Sequence, residues 1–110
     1  MDNWISKKIV LLCRDLKHKR IDSPLISQLI RSGTSVGANI YEAQYAQGKK
    51  DFISKLEFAL KEANESEYWI ELLYETKSIT NETFETFQKD IIEIRRMLVS
   101  SVKTLKSTIK

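Results

Sequence analysis

Residues 31–43, RSGTSVGANIYEA, gather two glycines, three serine or threonine hydroxyls and an asparagine where the flanking sequence reads as helix. Glycines and hydroxyls grouped in this way can cradle a phosphate. Freed backbone N–H groups wrap the anion, and a lysine and hydroxyl that follow meet it and its metal. The spacing argues against that chemistry. Gly37 is followed by Ala38 and Asn39, the next lysine is Lys49, and 25-LISQLI-30 in front is flanked by helix signals rather than forming a strand. Gly33 and Gly37 are instead four apart, which stacks them on adjacent turns of one helix. Two glycines inside a helix cost about 2 kcal/mol relative to alanine, and close approach of a neighbouring backbone or bulky ring would offset that. The stretch is predicted to be a helix face kept thin for packing. Gly33, Gly37, Asn39 and Glu42 form its signature, with Asn39 and Glu42 expected in a buried polar contact.

Other chemistry-bearing residues are scarce. One histidine, His18, excludes a metal site built on several histidines, and one cysteine, Cys13, excludes an internal disulfide or a cysteine cluster. Cys13 ends the apolar run 9-IVLLC-13 and reads as a small buried hydrophobe. Arg14 and His18 invite comparison with helical ribonucleases that pair an arginine with a histidine, but three intervening residues are too few for that motif. No histidine–acid pair is arranged near a serine. The sequence predicts no catalytic residue, no metal, no cofactor and no small-molecule substrate, hence not an enzyme.

The elements that must position these residues are helices. With one proline and three glycines in 110 residues, the chain lacks the turn punctuation of a β-sandwich. Apolar residues recur at helical spacing in four segments, about 3–19, 24–46, 50–78 and 82–108. Their seams are Ile5, Ile9, Leu12 and Leu16; Leu29, Gly33, Val36, Ile40 and Ala43; Phe52 through Leu73; and Phe84 through Leu105. Ser23 followed by Pro24 is the start signal for the second helix, Gly48 the stop, and Asn81 the cap of the fourth. Short connections force sequential helices to alternate in direction. The expected fold is all-α, an antiparallel up-down-up-down four-helix bundle forming a single domain over 1–110. No apolar run approaches the length of a membrane span, and Arg14 and Asp15 cut short the apolar run after Lys7 and Lys8 before a signal peptide could form. A soluble, cytoplasmic protein without membrane contact is expected.

At the second and third helices the chain resembles a known family. Ser35-Val36-Gly37-Ala38-Asn39-Ile40-Tyr41-Glu42 matches its signature of a serine, one residue, Gly-Ala-Asn-Ile, one residue and Glu. Lys50-Asp51-Phe52 follows at the expected place, and 59-ALKEANESEYWIELL-73 is similar to its third helix. This is the four-helix-bundle family of proteins encoded in intervening sequences of 23S ribosomal RNA genes, also labelled S23 ribosomal protein. The resemblance covers about residues 25–100. Many members have Ala-Glu-Gly where this chain has Tyr41-Glu42-Ala43. It implies a homo-oligomer, often a five-fold ring (pentamer), with no established enzymatic activity. Related accessory proteins of diversity-generating retroelements form basic barrels that bind nucleic acid and a reverse transcriptase.

Two surfaces follow from the residues themselves. On the third helix, Phe58, Trp69 and Leu72 lie roughly opposite Leu56, Ala63 and Ile70, an apolar arc that a lone bundle would expose. Such patches mark interfaces; with Tyr41 on the second helix they are the expected oligomer interface. Between Glu57 and Glu75 six glutamates face one lysine, whereas Lys7 to Arg31 holds seven basic residues against Asp15 and Asp22, charges that suit a head-to-tail ring, with a C2 dimer as the competing arrangement. The topology also gathers Lys49, Lys50, Lys103, Lys106 and Lys110 at one end, with Arg95 and Arg96 earlier on the last helix. These seven are the expected nucleic-acid-binding residues, contacting RNA or DNA through its backbone without sequence preference. The alternative is a structural or protein-interaction scaffold whose lysines only solvate the helix ends.

Overall fold

The computed structural model describes residues 4–108; Lys110 lies outside them. Four helices follow in order, α1 (Trp4–His18), α2 (Ser23–Ala43), α3 (Lys49–Glu75) and α4 (Asn81–Lys106). Each packs on its neighbour in sequence, and Lys8 Nζ of α1 meets Asp90 Oδ2 of α4 at 2.5 Å. The result is the expected all-α four-helix bundle, 50 × 21 × 19 Å. Its long axis is set by α3 and α4, since a helix of that length spans about 40 Å at 1.5 Å per residue. Among the described residues, no helix is long and apolar enough to cross a membrane.

The core is one apolar seam per helix: Ile5, Ile9, Cys13 and Leu16; Ile26, Leu29, Val36, Ile40 and Ala43; Ile53, Leu56, Ala59, Ala63, Ile70 and Leu73; and Phe87, Ile91, Ile94, Leu98 and Val102. Expected seam residues at the margins sit elsewhere. Leu12, Phe52, Phe84 and Leu105 are half-buried, and Ser101 is exposed while Val102 takes the inward position.

The helix ends differ more. α2 starts at Ser23 with Asp22 at its cap and no side-chain capping bond, so Ser23 does not cap it. Gly48 does not stop α2, which ends at Ala43; with φ 111° it opens α3 instead. Asp51 Oδ2 then accepts from Gln47 N at 3.1 Å, fixing that entry. α4 is capped by Thr80, whose hydroxyl accepts from Thr83 N at 3.1 Å, while Asn81 accepts from the Tyr74 hydroxyl at 2.9 Å. α1 and α3 both end in Schellman turns. Arg20 and Lys77 adopt left-handed φ of 58° and 60°, and Ile21 N and Ser78 N reach back to Leu16 O and Leu73 O at 3.1 and 2.8 Å.

Candidate functional site

The glycine pair on α2 is filled from within the chain. A Cβ on Gly33 would stand 2.6 Å from Ile9 Cδ1 and 2.7 Å from Ile9 Cγ2. Ser6, one turn before Ile9 on α1, donates to Gly33 O at 2.6 Å and accepts from Gly37 N at 3.1 Å. The thin face thus receives a branched aliphatic side chain and a hydroxyl of α1, not an aromatic ring. Asn39 and Glu42 do not meet as expected. Asn39 Nδ2 donates to Ser35 O and Oγ at 2.8 and 3.1 Å on its own helix, and Glu42 points outward to Lys55, 3.4 Å away on α3.

A polar cluster joins α2 to α3. Glu62 is buried, accepting from Arg31 at 3.3 Å, and Arg31 also pairs with Glu65. Ser66 Oγ lies 2.9 Å from both Ser32 Oγ and Glu62 O. No buried side-chain N or O among the described residues is left without a partner, so the cluster is complete as a clasp.

Four of the expected lysines gather at one end, where α2 ends, α3 starts and α4 ends. Lys49 Nζ donates to Thr108 Oγ1 at 2.8 Å, tying the start of α3 to the residues after α4. Lys50 and Lys103 are exposed and have no ion-pair partner among the described residues. Lys106 pairs with Glu57 at 2.8 Å. Arg95 and Arg96 are not at this end: they lie near the middle of α4, where Arg95 binds Glu67 and, at 2.9 Å, Asn64 Oδ1 of α3. Beside the lysines, an open cleft of about 540 Å³ separates α2, α3 and α4, walled by Ile40, Phe52, Leu98 and Leu105 and edged by Gln44 and Thr104.

The four residues expected at an interface are dispersed. Phe58 is 46% exposed, with Lys61 Nζ 5.3 Å from its ring centroid. Trp69 is half-buried against the core of its own chain and donates to Glu65 at 3.2 Å, and Leu72 is half-buried as well. Tyr41 belongs to another helix: one turn beyond Gly37 on α2, it is 56% exposed and meets Tyr45 in a tilted contact, centroids 5.5 Å apart.

The family model described as 23S rRNA-intervening sequence protein matches residues 4–100. The chain belongs to that family. A crystal structure of a protein with unknown function from the S23 ribosomal protein family, from Bacteroides thetaiotaomicron VPI-5482, is similar to it: 47% sequence identity and a TM-score of 0.87, covering 90% of this chain and 92% of that one. No curated protein matches.

Several features of this 23S rRNA-intervening sequence protein were invisible to the helical pattern. Tyr45, 70% exposed, falls in the connector after α2; its spacing of four from Tyr41 was the one available signal. Ile92 and Val99, flanking Arg95 and Arg96, form an exposed apolar stripe on α4 outside the seam. Glu62 reads as solvated in sequence, because its partner Arg31 sits on another helix.

Proposed function

We propose that this protein is a non-enzymatic, self-associating helical bundle that binds RNA or DNA without sequence preference through its basic end. The observation that carries the reading is the convergence of three helix ends there, bringing Lys49, Lys50, Lys103 and Lys106 together. The acids nearby are already engaged: Glu42 by Lys55, Asp51 by Gln47 N and Glu57 by Lys106. The opposite end mixes signs, with Lys17, Lys19, Arg20 and Lys77 set among Asp15, Asp22, Glu75, Glu82 and Glu85. Repetition of the basic end in an oligomer would multiply the phosphate contacts, each adding salt-dependent affinity.

Filter binding of labelled RNA and DNA across a salt series tests it. About four phosphate contacts per subunit predict a log–log slope of about −3 per subunit engaged. Lys50→Gln should make that slope shallower. Absence of retention at low salt would refute the reading. A second reading, a scaffold that binds only protein, draws on the ion pairs that hold Lys106 and Arg95 within the bundle. It predicts no retention of any nucleic acid.

A further inference from the structure

We infer that the basic end is built for single-stranded nucleic acid, with Tyr41 and Tyr45 as a stacking platform and the adjoining cleft as a seat for an unpaired base. The inference rests on the nucleic-acid reading above and specifies its ligand.

Three observations converge on it. Tyr41 and Tyr45 are 56% and 70% exposed and lie ring against ring, centroids 5.5 Å apart and planes tilted by 54°, at the same end as the lysines. Exposed aromatic rings beside cations are the combination by which proteins hold single strands: the rings stack bases and the cations track the backbone. Gln44, three residues after Tyr41 and one before Tyr45, lines the cleft, so the tyrosine pair and the cleft share the C-terminal end of α2. The cleft's apolar walls suit a base face, and its volume of about 540 Å³ lies within the range of small-ligand sites. At its edge the side chains of Gln44, Ser101 and Thr104 have no hydrogen-bond partner among the described residues, leaving donors and acceptors for a base edge. Lys49 and Lys50 open α3 four and five residues beyond Tyr45, so a strand stacked on the tyrosines has positive charge at the same end for its phosphates. Duplex nucleic acid keeps its base faces stacked and can use only the lysines.

Fluorescence anisotropy with labelled oligonucleotides of about twenty nucleotides, oligo(dT), oligo(rU) and a mixed-sequence duplex, tests this at about 50 mM salt. At least one single strand should bind about tenfold or more tighter than the duplex. Tyr45→Ala and Tyr41→Ala should each weaken it about 5- to 100-fold. Tyr45→Phe, which keeps the ring, should retain wild-type affinity, and Thr104→Trp, which fills the cleft, should weaken single-strand binding. None of these neutral changes should alter duplex affinity or the salt slope. Comparison of oligo(dT) with oligo(rU) tells which sugar is accepted. If duplex binds as tightly as either single strand while Lys50→Gln weakens both, the basic end stands and the stacking inference falls. If no oligonucleotide binds, both fall. A drop in light-scattering mass for Tyr41→Ala or Tyr45→Ala, with single-strand affinity unchanged, overturns the inference by assigning the rings to a subunit contact.

Discussion

Gly33 is where one methyl group would be felt most. Its missing Cβ is the space occupied by two methyl carbons of Ile9, a branched side chain with no room to swing aside while Ser6 holds α1 to the same turn of α2. Gly33→Ala therefore has to push α1 outward. Overpacking of this kind costs about 1–3 kcal/mol, and helix propensity returns about 1. A net loss of about 1–2 kcal/mol is expected in urea unfolding, and the loss should shrink in an Ile9→Ala background, where the obstructing branch is gone. Cys13, buried on α1, offers a test by pH. Burial pushes its thiol up from 9.0 to about 11, against the opposing pull of the Lys17 charge. The folded state then holds a proton that the unfolded state releases. Stability from this group is complete below pH 9, where both states are protonated, and is lost as pH climbs toward 11. Urea midpoints measured across that window should fall more steeply for wild type than for Cys13→Ala.

Among the elements, the four helices and their seams were legible because a 3.6-residue period survives single exceptions, whereas their ends were not. Helix termini are decided by a few backbone bonds, and the residues making them here are not those with the strongest intrinsic signal. Gly48 looked like a stop because glycine tolerates positive φ, yet the left-handed residues that end α1 and α3 are Arg20 and Lys77. Those two carry strain that glycine would not. Lys77→Gly should thus raise stability by up to about 1 kcal/mol, read as a higher urea midpoint with helicity unchanged. A decrease would mean that the flexibility glycine adds to the unfolded chain outweighs the strain relieved. The basic end was legible for the same reason as the seams, since alternating helices must bring the end of α2, the start of α3 and the end of α4 together. The clasp of Glu62 with Arg31 was not, because the pattern of one helix cannot show a charge neutralised from the next. Nor was the cleft, which depends on how far apart three helix ends stand.

For the whole molecule, the clasps bear on what would hold copies together under the proposed self-association. The glutamates of α3 looked available to a neighbouring subunit, but Glu57 is taken by Lys106, Glu62 and Glu65 by Arg31, and Glu67 by Arg95. Of the glutamates on that helix, Glu71 and Glu75 are exposed and have no ion-pair partner among the described residues. A subunit contact on α3 must then draw mainly on apolar area, with Phe58 and Tyr68, 46% and 56% exposed, as its principal rings. Apolar contacts respond little to ionic strength, while exposed charge pairs separated by more than a Debye length, about 10 Å at 0.1 M, are screened. The light-scattering mass should therefore exceed that of one chain and hold steady between about 50 mM and 500 mM salt, over which nucleic-acid affinity falls steeply. Phe58→Glu is the substitution that tests the contact, and it should lower the mass to that of the monomer with helicity retained. Trp69→Glu is a poorer choice, because Trp69 packs against its own core and its loss would unsettle the fold along with the assembly. A mass that drops with salt while Phe58→Glu leaves it unchanged would move the contact to a charged surface, with Arg96 and Lys103, which have no ion-pair partner among the described residues, beside Ile92 and Val99 on α4 the next place to substitute.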